Sequence, residues 1–267
     1  MKIATWNVNS IRQRGALVAD WLDRVAPDLL FLQEIKCETE AFPTEAFTAR
    51  GYRAAVVGQK TYHGVAVLGR VPFEVTATAL PGMRPEDAPS GLIEARYIEV
   101  ETAFAGGRTT LAGLYLPNGN SAGAPGFAHK LRWMDRLAER AAALLGAGRD
   151  MALLGDFNVC PEDRDCAPGA LQPGDALLAP EVRARFRRLI WLGLTDAVRT
   201  LHPEPPCYSF WDYQAGAWPR DRGLRIDHAL LSPVLAERLV AALPDRAERD
   251  RPQPSDHVPV LVTLADP

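Results

Sequence analysis

The chain has 267 residues, 47% hydrophobic and 8% aromatic, which excludes a disordered polypeptide and predicts one packed domain spanning residues 1–267. Its formal net charge of −3 argues against a sequence-independent nucleic-acid coat, while leaving room for a basic rim around an acidic centre. No apolar run approaches the about 20 residues that span a bilayer, and "MKIATWNVNS" lacks the apolar core of a signal peptide. A soluble, cytoplasmic protein without a membrane partner is expected.

In chain order, "KIATWNVN" reads as a buried strand with a polar end. "RGALVADWLDRVA" follows as a helix, with Leu17, Trp21 and Val25 at helical spacing and Pro27 as its stop. "DLLFLQE" is an apolar run of strand length that finishes in Gln33 and Glu34. "GVAVLGR", "LIEARYIEVE" and "TTLAGLYLPNGN" are further strands, the last closing in a Pro-Asn-Gly turn. Pro81 to Ser90 lies between them as a loop.

From Phe127 to Leu145 the apolar residues Phe127, Leu131, Met134, Ala138, Ala141 and Leu145 recur at three-to-four spacing, which predicts a helix closed by Gly146 and Gly148. The strand "DMALLGD" comes next, then a loop rich in Asp, Pro and Gly. A helix begins at Glu181 with Val182, Phe186 and Leu189 on one face. "CYSFWDYQAGAWPRDRG" is an aromatic loop, "LRIDHALLS" a strand, "PVLAERLVA" a short helix and "VPVLVTL" a final strand. Strands that alternate with helices and also follow one another predict an α/β protein with mixed sheets covered by helices.

The strand runs share one property: they end in carboxylates or carboxamides. Asn7, Glu34, Asp156 with Asn158, and Asp227 all stand at such ends, and Asp256 and His257 precede the last strand. Any single example is ordinary turn chemistry. Together they call for a shared explanation, because a buried ionised carboxylate is unfavourable unless paired or metal-bound. Oxygen donors with few imidazoles suit Mg²⁺ or Mn²⁺ and not zinc. Cys37, Cys160, Cys166 and Cys207 contain no C-x-x-C pair and read as reduced thiols. His63, His129, His202 and His228 read as structural or surface residues. His228 adjoins Asp227 on a strand, so the two side chains must point to opposite faces.

"TWNVNSIR", "PDLLFLQEIKC", "YHGVAVLGR", "LYLPNGN", "LLGDFNVCPED", "SFWDY", "GLRIDHALLS" and "SDHVPV" occur in the order found in the exonuclease III family of apurinic/apyrimidinic endonucleases. The chain resembles that family, part of the endonuclease/exonuclease/phosphatase superfamily, over essentially its whole length. The resemblance implies a four-layered α/β sandwich of two packed mixed sheets flanked by helices. It also implies a Mg²⁺-dependent hydrolase, with Mn²⁺ as substitute and one or two ions, that cuts duplex DNA 5′ to abasic sites. Removal of 3′ blocking groups and 3′ nucleotides would accompany this. The partner is then double-stranded DNA with abasic sites or blocked 3′ ends, and nothing calls for an obligate oligomer.

Carried over by motif, Glu34 with Asn7 would hold the metal and Asp256 would assist. Asp156 would orient or deprotonate the attacking water, and Asn158 would fix its geometry. His257, oriented by Asp227, would donate to a phosphate oxygen. Tyr115 would contact the phosphate or leaving group, and Asn118 the DNA backbone or the general-base network. Phe210, Trp211 and Leu224 are candidates for apolar walls around an extruded bare sugar, whereas Trp218 reads equally well as loop packing. Arg12, Arg14, Arg220, Arg222 and Arg225 flank the motifs as candidate phosphate contacts, while Arg183, Arg185, Arg187 and Arg188 read as a solvated helix surface. Position 9 is Asn where some relatives carry Asp, which weakens a second metal position. Two rivals remain: a superfamily phosphoesterase acting on other phosphoesters, and a binding protein of this fold without catalysis.

Overall fold

The computed structural model describes residues 1–104, 106–120, 123–204 and 206–266. Among the described residues, twelve strands form two mixed sheets: β1 (Lys2–Asn7), β2 (Leu29–Gln33), β3 (Arg53–Val57), β4 (Val65–Gly69), β5 (Phe73–Ala77), β6 (Tyr97–Phe104), β7 (Gly107–Tyr115), β8 (Asp150–Asp156), β9 (Thr195–Asp196), β10 (Asp227–Leu231), β11 (Leu239–Pro244) and β12 (Val260–Leu264). One sheet has the order β11-β12-β1-β2-β4-β3 and the other β5-β6-β7-β8-β10-β9. The helices are α1 (Ile11–Val25), α2 (Thr44–Thr48), α3 (Pro125–Gly146), α4 (Pro180–Trp191), α5 (Ala197–Leu201) and α6 (Pro233–Ala236).

Period-two strands give each sheet two faces, and both are buried, which is why their sequences read as continuous apolar runs. Ile3, Phe31 and Val67 of one sheet meet Ile98, Leu111 and Leu154 of the other in a central core. Outside it, Trp6, Leu30 and Ala66 pack against Val18, Trp21 and Leu22 of α1. On the opposite side Leu114 and Leu153 pack against Met134 and Leu137 of α3 and Phe186 of α4. The result is the expected four-layered sandwich. At Gly113 the sheets approach so closely that a Cβ would stand 2.5 Å from Cδ1 of Phe31.

Several expectations need correction. "PVLAERLVA" is not one helix: α6 stops at Ala236 and Leu239 begins β11, because pairing with β12 satisfies a backbone that a short isolated helix would leave open. The strand expected from Leu92 starts only at Tyr97. Strands β3 and β5 escaped the sequence reading. The segment Pro81 to Ser90 contains a 3-10 turn at Pro85–Asp87, and the Asp87 carbonyl lies 2.8 Å from Nδ1 of His129 and from Nη2 of Arg132 on α3. No helix among the described residues is long and apolar enough to cross a membrane.

Candidate active site

The site follows from the register of two parallel strand pairs. β1 and β2 place Asn7 opposite Gln33, immediately before Glu34, and β7 and β8 place Tyr115 opposite Asp156. Their carboxyl ends meet at one edge of the sandwich. There β10 starts antiparallel to β8 with Asp227 opposite Asp156, and the chain passes Asp256 and His257 on its way into β12. Glu34 and Asn158 hold left-handed backbone conformations at φ 50° and 49°. That conformation is unfavourable for side-chain-bearing residues and concentrates where surroundings enforce a functional geometry.

Asn7 joins the two sheets. Its Nδ2 donates to Oε1 of Glu34 at 2.8 Å and to Oδ2 of Asp156 at 3.0 Å, while its Oδ1 accepts from the Asn9 amide. Asn7 thus bridges the two carboxylates through its nitrogen, while its oxygen, with this one hydrogen bond accepted, retains a second lone pair. Burial pushes the Glu34 pKa up, but hydrogen bonds from Asn7 and Lys36 outweigh it and keep the group ionised. Asp256 accepts from Asn9 Nδ2 at 3.1 Å.

Asp156 is 1% exposed, and Oδ1 accepts from the Asn158 amide at 2.9 Å. Burial raises its pKa, the imidazolium of His257 opposes, and Asp227 and Glu34 add to the rise. His257 Nε2 lies 3.7 Å from Asp156 Oδ2, and its Nδ1 lies 2.8 Å from Asp227 Oδ2. Burial disfavours the charged imidazole, yet the carboxylates of Asp227 and Asp156 overcome that and hold its pKa well above the ordinary value. Ser209 Oγ donates to the same Asp227 oxygen at 2.6 Å.

Asn118 Nδ2 donates to Asn158 Oδ1 at 3.0 Å, and Asn158 Nδ2 to the Leu116 carbonyl at 3.0 Å. Tyr115 keeps its proton, because burial and then the charges of Glu34 and Asp156 drive its pKa well up. A cavity of about 420 Å³ adjoins these groups, lined by the apolar residues Phe210, Leu224, Ile226, Leu171 and Leu177, which pack together, and also by Arg222, Asp212 and Gln172. The Phe210 ring lies 4.9 Å from that of His257.

Thus Glu34, Tyr115, Asn118, Asp156, Asn158, Phe210, Arg222, Leu224, Asp256 and His257 line one cavity, with Asn7 and Asp227 immediately behind. Trp211 and Arg225 do not. Trp211 is fully buried, donates to Asp221 at 3.0 Å and meets Trp218 edge-on at 4.7 Å, so it anchors the aromatic loop. Arg225 is 1% exposed and grips Asp165 through Nε at 2.7 Å and Asp196 through Nη1 at 2.7 Å. It is not a phosphate contact. Arg14 is likewise buried and donates to Tyr213 Oη at 3.0 Å.

Sequence reasoning missed Ser209, although its motif was noted, and Asn9 as the partner of Asp256. It also missed Leu171 and Leu177 in the loop after β8, and buried Lys130. The signal for Lys130 was present: position 130 falls on the face of Phe127, Met134 and Leu137, where an ammonium is out of place.

Ligand atoms of Glu34, Asp156 and His257 all lie within 4.8 Å of one another; with His257 held as the imidazolium, the carboxylates are the members of this group able to hold a metal ion. A buried carboxylate beside a metal-capable acidic cluster and an imidazole backed by a second carboxylate define the class: a hydrolase of phosphate esters. The endonuclease/exonuclease/phosphatase family model matches residues 4–257. The chain is 35% identical to exodeoxyribonuclease III of Haemophilus influenzae, covering 97% of this chain and 98% of that one. It is 30% identical to the DNA repair nuclease APEX1 of Danio rerio, covering 99% and 82%. Among solved structures it is similar to a 3′ phosphatase, NExo, from Neisseria bound to a product DNA hairpin, with TM-score 0.90, 35% identity and 99% of each chain covered. An AP endonuclease from Archaeoglobus fulgidus gives TM-score 0.88 and 32% identity, again over 99% of each chain. The chain belongs to the endonuclease/exonuclease/phosphatase family, as an enzyme of the exonuclease III type.

Proposed function

We propose that the protein is a Mg²⁺-dependent DNA-repair hydrolase that incises duplex DNA on the 5′ side of abasic sites, with 3′-5′ exonuclease and 3′-phosphatase side activities. The observation that carries this reading is the position of Asp156. It is held by Asn7 and the Asn158 amide, faces His257, and opens onto a cavity with the apolar wall of Phe210, Leu224 and Ile226. Such a wall receives an extruded sugar that lacks a base.

Phosphodiester hydrolysis needs an activated water, stabilisation of charge on the phosphorus oxygens and help for the leaving 3′ oxygen. Asp156 accepts the water proton, its raised proton affinity suiting it to a base, and Asn158 fixes the water. His257 donates from Nε2 to a non-bridging oxygen while Asp227 holds Nδ1. Tyr115 donates its hydroxyl proton in a hydrogen bond near the leaving group. Oxygen donors from Glu34 and Asp256 fit Mg²⁺ or Mn²⁺, and the ion would neutralise phosphate charge there.

The similarity to a 3′ phosphatase makes 3′-phosphate ends the substrate to rank against abasic sites. Turnover compared on abasic duplex, on 3′-phosphate-ended duplex and on soluble phosphoesters tests the reading. Preference for abasic duplex is expected, and hydrolysis confined to soluble phosphoesters overturns it.

A further inference from the structure

Lys130 lies on the buried face of α3 and is 0% exposed. Its Nζ donates to the Asn158 carbonyl at 2.6 Å and to the Asn118 carbonyl at 3.0 Å. It forms no salt bridge with a carboxylate among the described residues. Burial lowers its pKa to about 7, with the charges of Asp156 and Asp175 opposing. An ammonium held only by carbonyls is an unfavourable way to stabilise a core, since an apolar residue of similar volume avoids the desolvation.

What the lysine does achieve is a connection. Asn118 follows β7 and Asn158 follows β8, and their side chains are joined by a 3.0 Å hydrogen bond over the catalytic cavity. Lys130 ties the backbones of the same two residues from below. The Pro-Asn-Gly turn is fitted to its stem: Gly119 has φ 83°, and a Cβ there would stand 2.7 Å from Lys130 Cδ. Asn158 itself is held at φ 49°. A residue kept in that conformation needs its surroundings to enforce it.

We propose that Lys130 is a positioning residue for phosphodiester hydrolysis, clamping the carbonyls of Asn118 and Asn158 so that the two side-chain amides hold a fixed geometry beside Asp156. This inference rests on the reading of Asn158 as the group that orients the attacking water. Lys130 touches no substrate and acts only through the two loops.

The test is a double-mutant cycle on abasic duplex DNA with Lys130→Met, Asn158→Ala and the pair, at saturating metal. A small misplacement of a catalytic group costs about 10²-fold in rate, so Lys130→Met should lower kcat about 10²-fold, change KM less than threefold and leave the metal dependence intact. In the Asn158→Ala background the lysine substitution should have almost no further effect. Full additivity, or an unchanged kcat in Lys130→Met, overturns the proposal. Should Lys130→Met fail to fold, Lys130→Gln, which is uncharged and one atom shorter, takes its place in the same cycle, and Lys130→Arg, which retains the charge and donors, should keep more of the rate than either.

A second readout does not depend on activity. The side-chain amide resonances of Asn118 and Asn158 in ¹⁵N-asparagine-labelled protein should shift and lose exchange protection in the lysine variant. Unchanged amide resonances contradict the clamp. If wild type hydrolyses no phosphoester, the functional reading fails and these resonances alone decide the role of Lys130.

Discussion

Nδ1 of His257 lies 2.8 Å from Oδ2 of Asp227, and this contact orients the imidazole and, together with the charge of Asp156, favours its cationic form against burial. It leaves Nε2 to face Asp156 at 3.7 Å, where both groups line the cavity. Asp227→Asn keeps the shape and removes the charge. Losing the alignment of one donor costs about 10²-fold in kcat. Because Asp227 raises the His257 pKa, the alkaline limb of the kcat profile should also move to lower pH. A pH-rate profile of wild type and variant checks both, and an unmoved alkaline limb counts against the imidazolium.

Asp156 has the opposite relation to stability. Its folded pKa lies above the unfolded value of about 3.9, so the folded state binds the proton more tightly. This group therefore costs stability as pH rises from the unfolded pKa through the folded one. In EDTA, Asp156→Asn should melt at a higher temperature than wild type at pH 8, with the difference shrinking towards pH 5. A lower Tm at pH 8 would contradict the raised pKa.

His228 is fully buried, with Nε2 2.9 Å from the Val159 carbonyl and Nδ1 3.1 Å from Arg225 Nη1. The neutral tautomer with hydrogen on Nε2 satisfies both contacts. Burial, then the Arg225 charge, lower its pKa to about 4. Its neutral form is fully favourable above the unfolded value near 6.5, and the contribution is lost as pH falls through about 4. The loss is on the order of 3 kcal/mol. Denaturant titrations between pH 4 and 7 should show this slope, and His228→Gln should flatten it. An identical slope in the variant would assign the acid sensitivity elsewhere.

Arg225 separates two readings of one residue. Cutting a buried ion pair on one side costs about 3–5 kcal/mol, so Arg225→Met should lose stability by that order. Removing a phosphate-contacting arginine would instead reduce the salt dependence of DNA binding by about one unit of log-log slope. The expectation is a lower Tm and an unchanged slope. The reverse pattern would return Arg225 to the DNA-binding surface.

The sequence showed the catalytic edge well, because "IATWN", "LLFLQE" and "MALLGD" each carry the polar terminus on the strand that delivers it. Register then required only that parallel neighbours end together, as Tyr115 and Asp156 do. Residues whose meaning depends on distant partners were harder to read. Arg225 stands beside a site motif, but Asp165 and Asp196, which claim it, lie 60 and 29 residues away in the chain. Trp211 follows Phe210, yet only Phe210 faces the cavity, because successive extended residues point to opposite sides. Residues 239–244 are short and apolar, and pairing with β12 rather than local periodicity makes them a strand.

The proposed function stands or falls with Asp156 as the base of an abasic-site endonuclease. The most direct test is cleavage of a labelled duplex carrying one tetrahydrofuran abasic analogue, in Mg²⁺ or EDTA, by wild type and Asp156→Asn. Incision on the 5′ side that requires Mg²⁺ and falls by about 10² to 10⁴-fold in the variant, the range for losing a general base, is the expected result. Absence of incision by folded wild type in Mg²⁺, or full activity in Asp156→Asn, would contradict it.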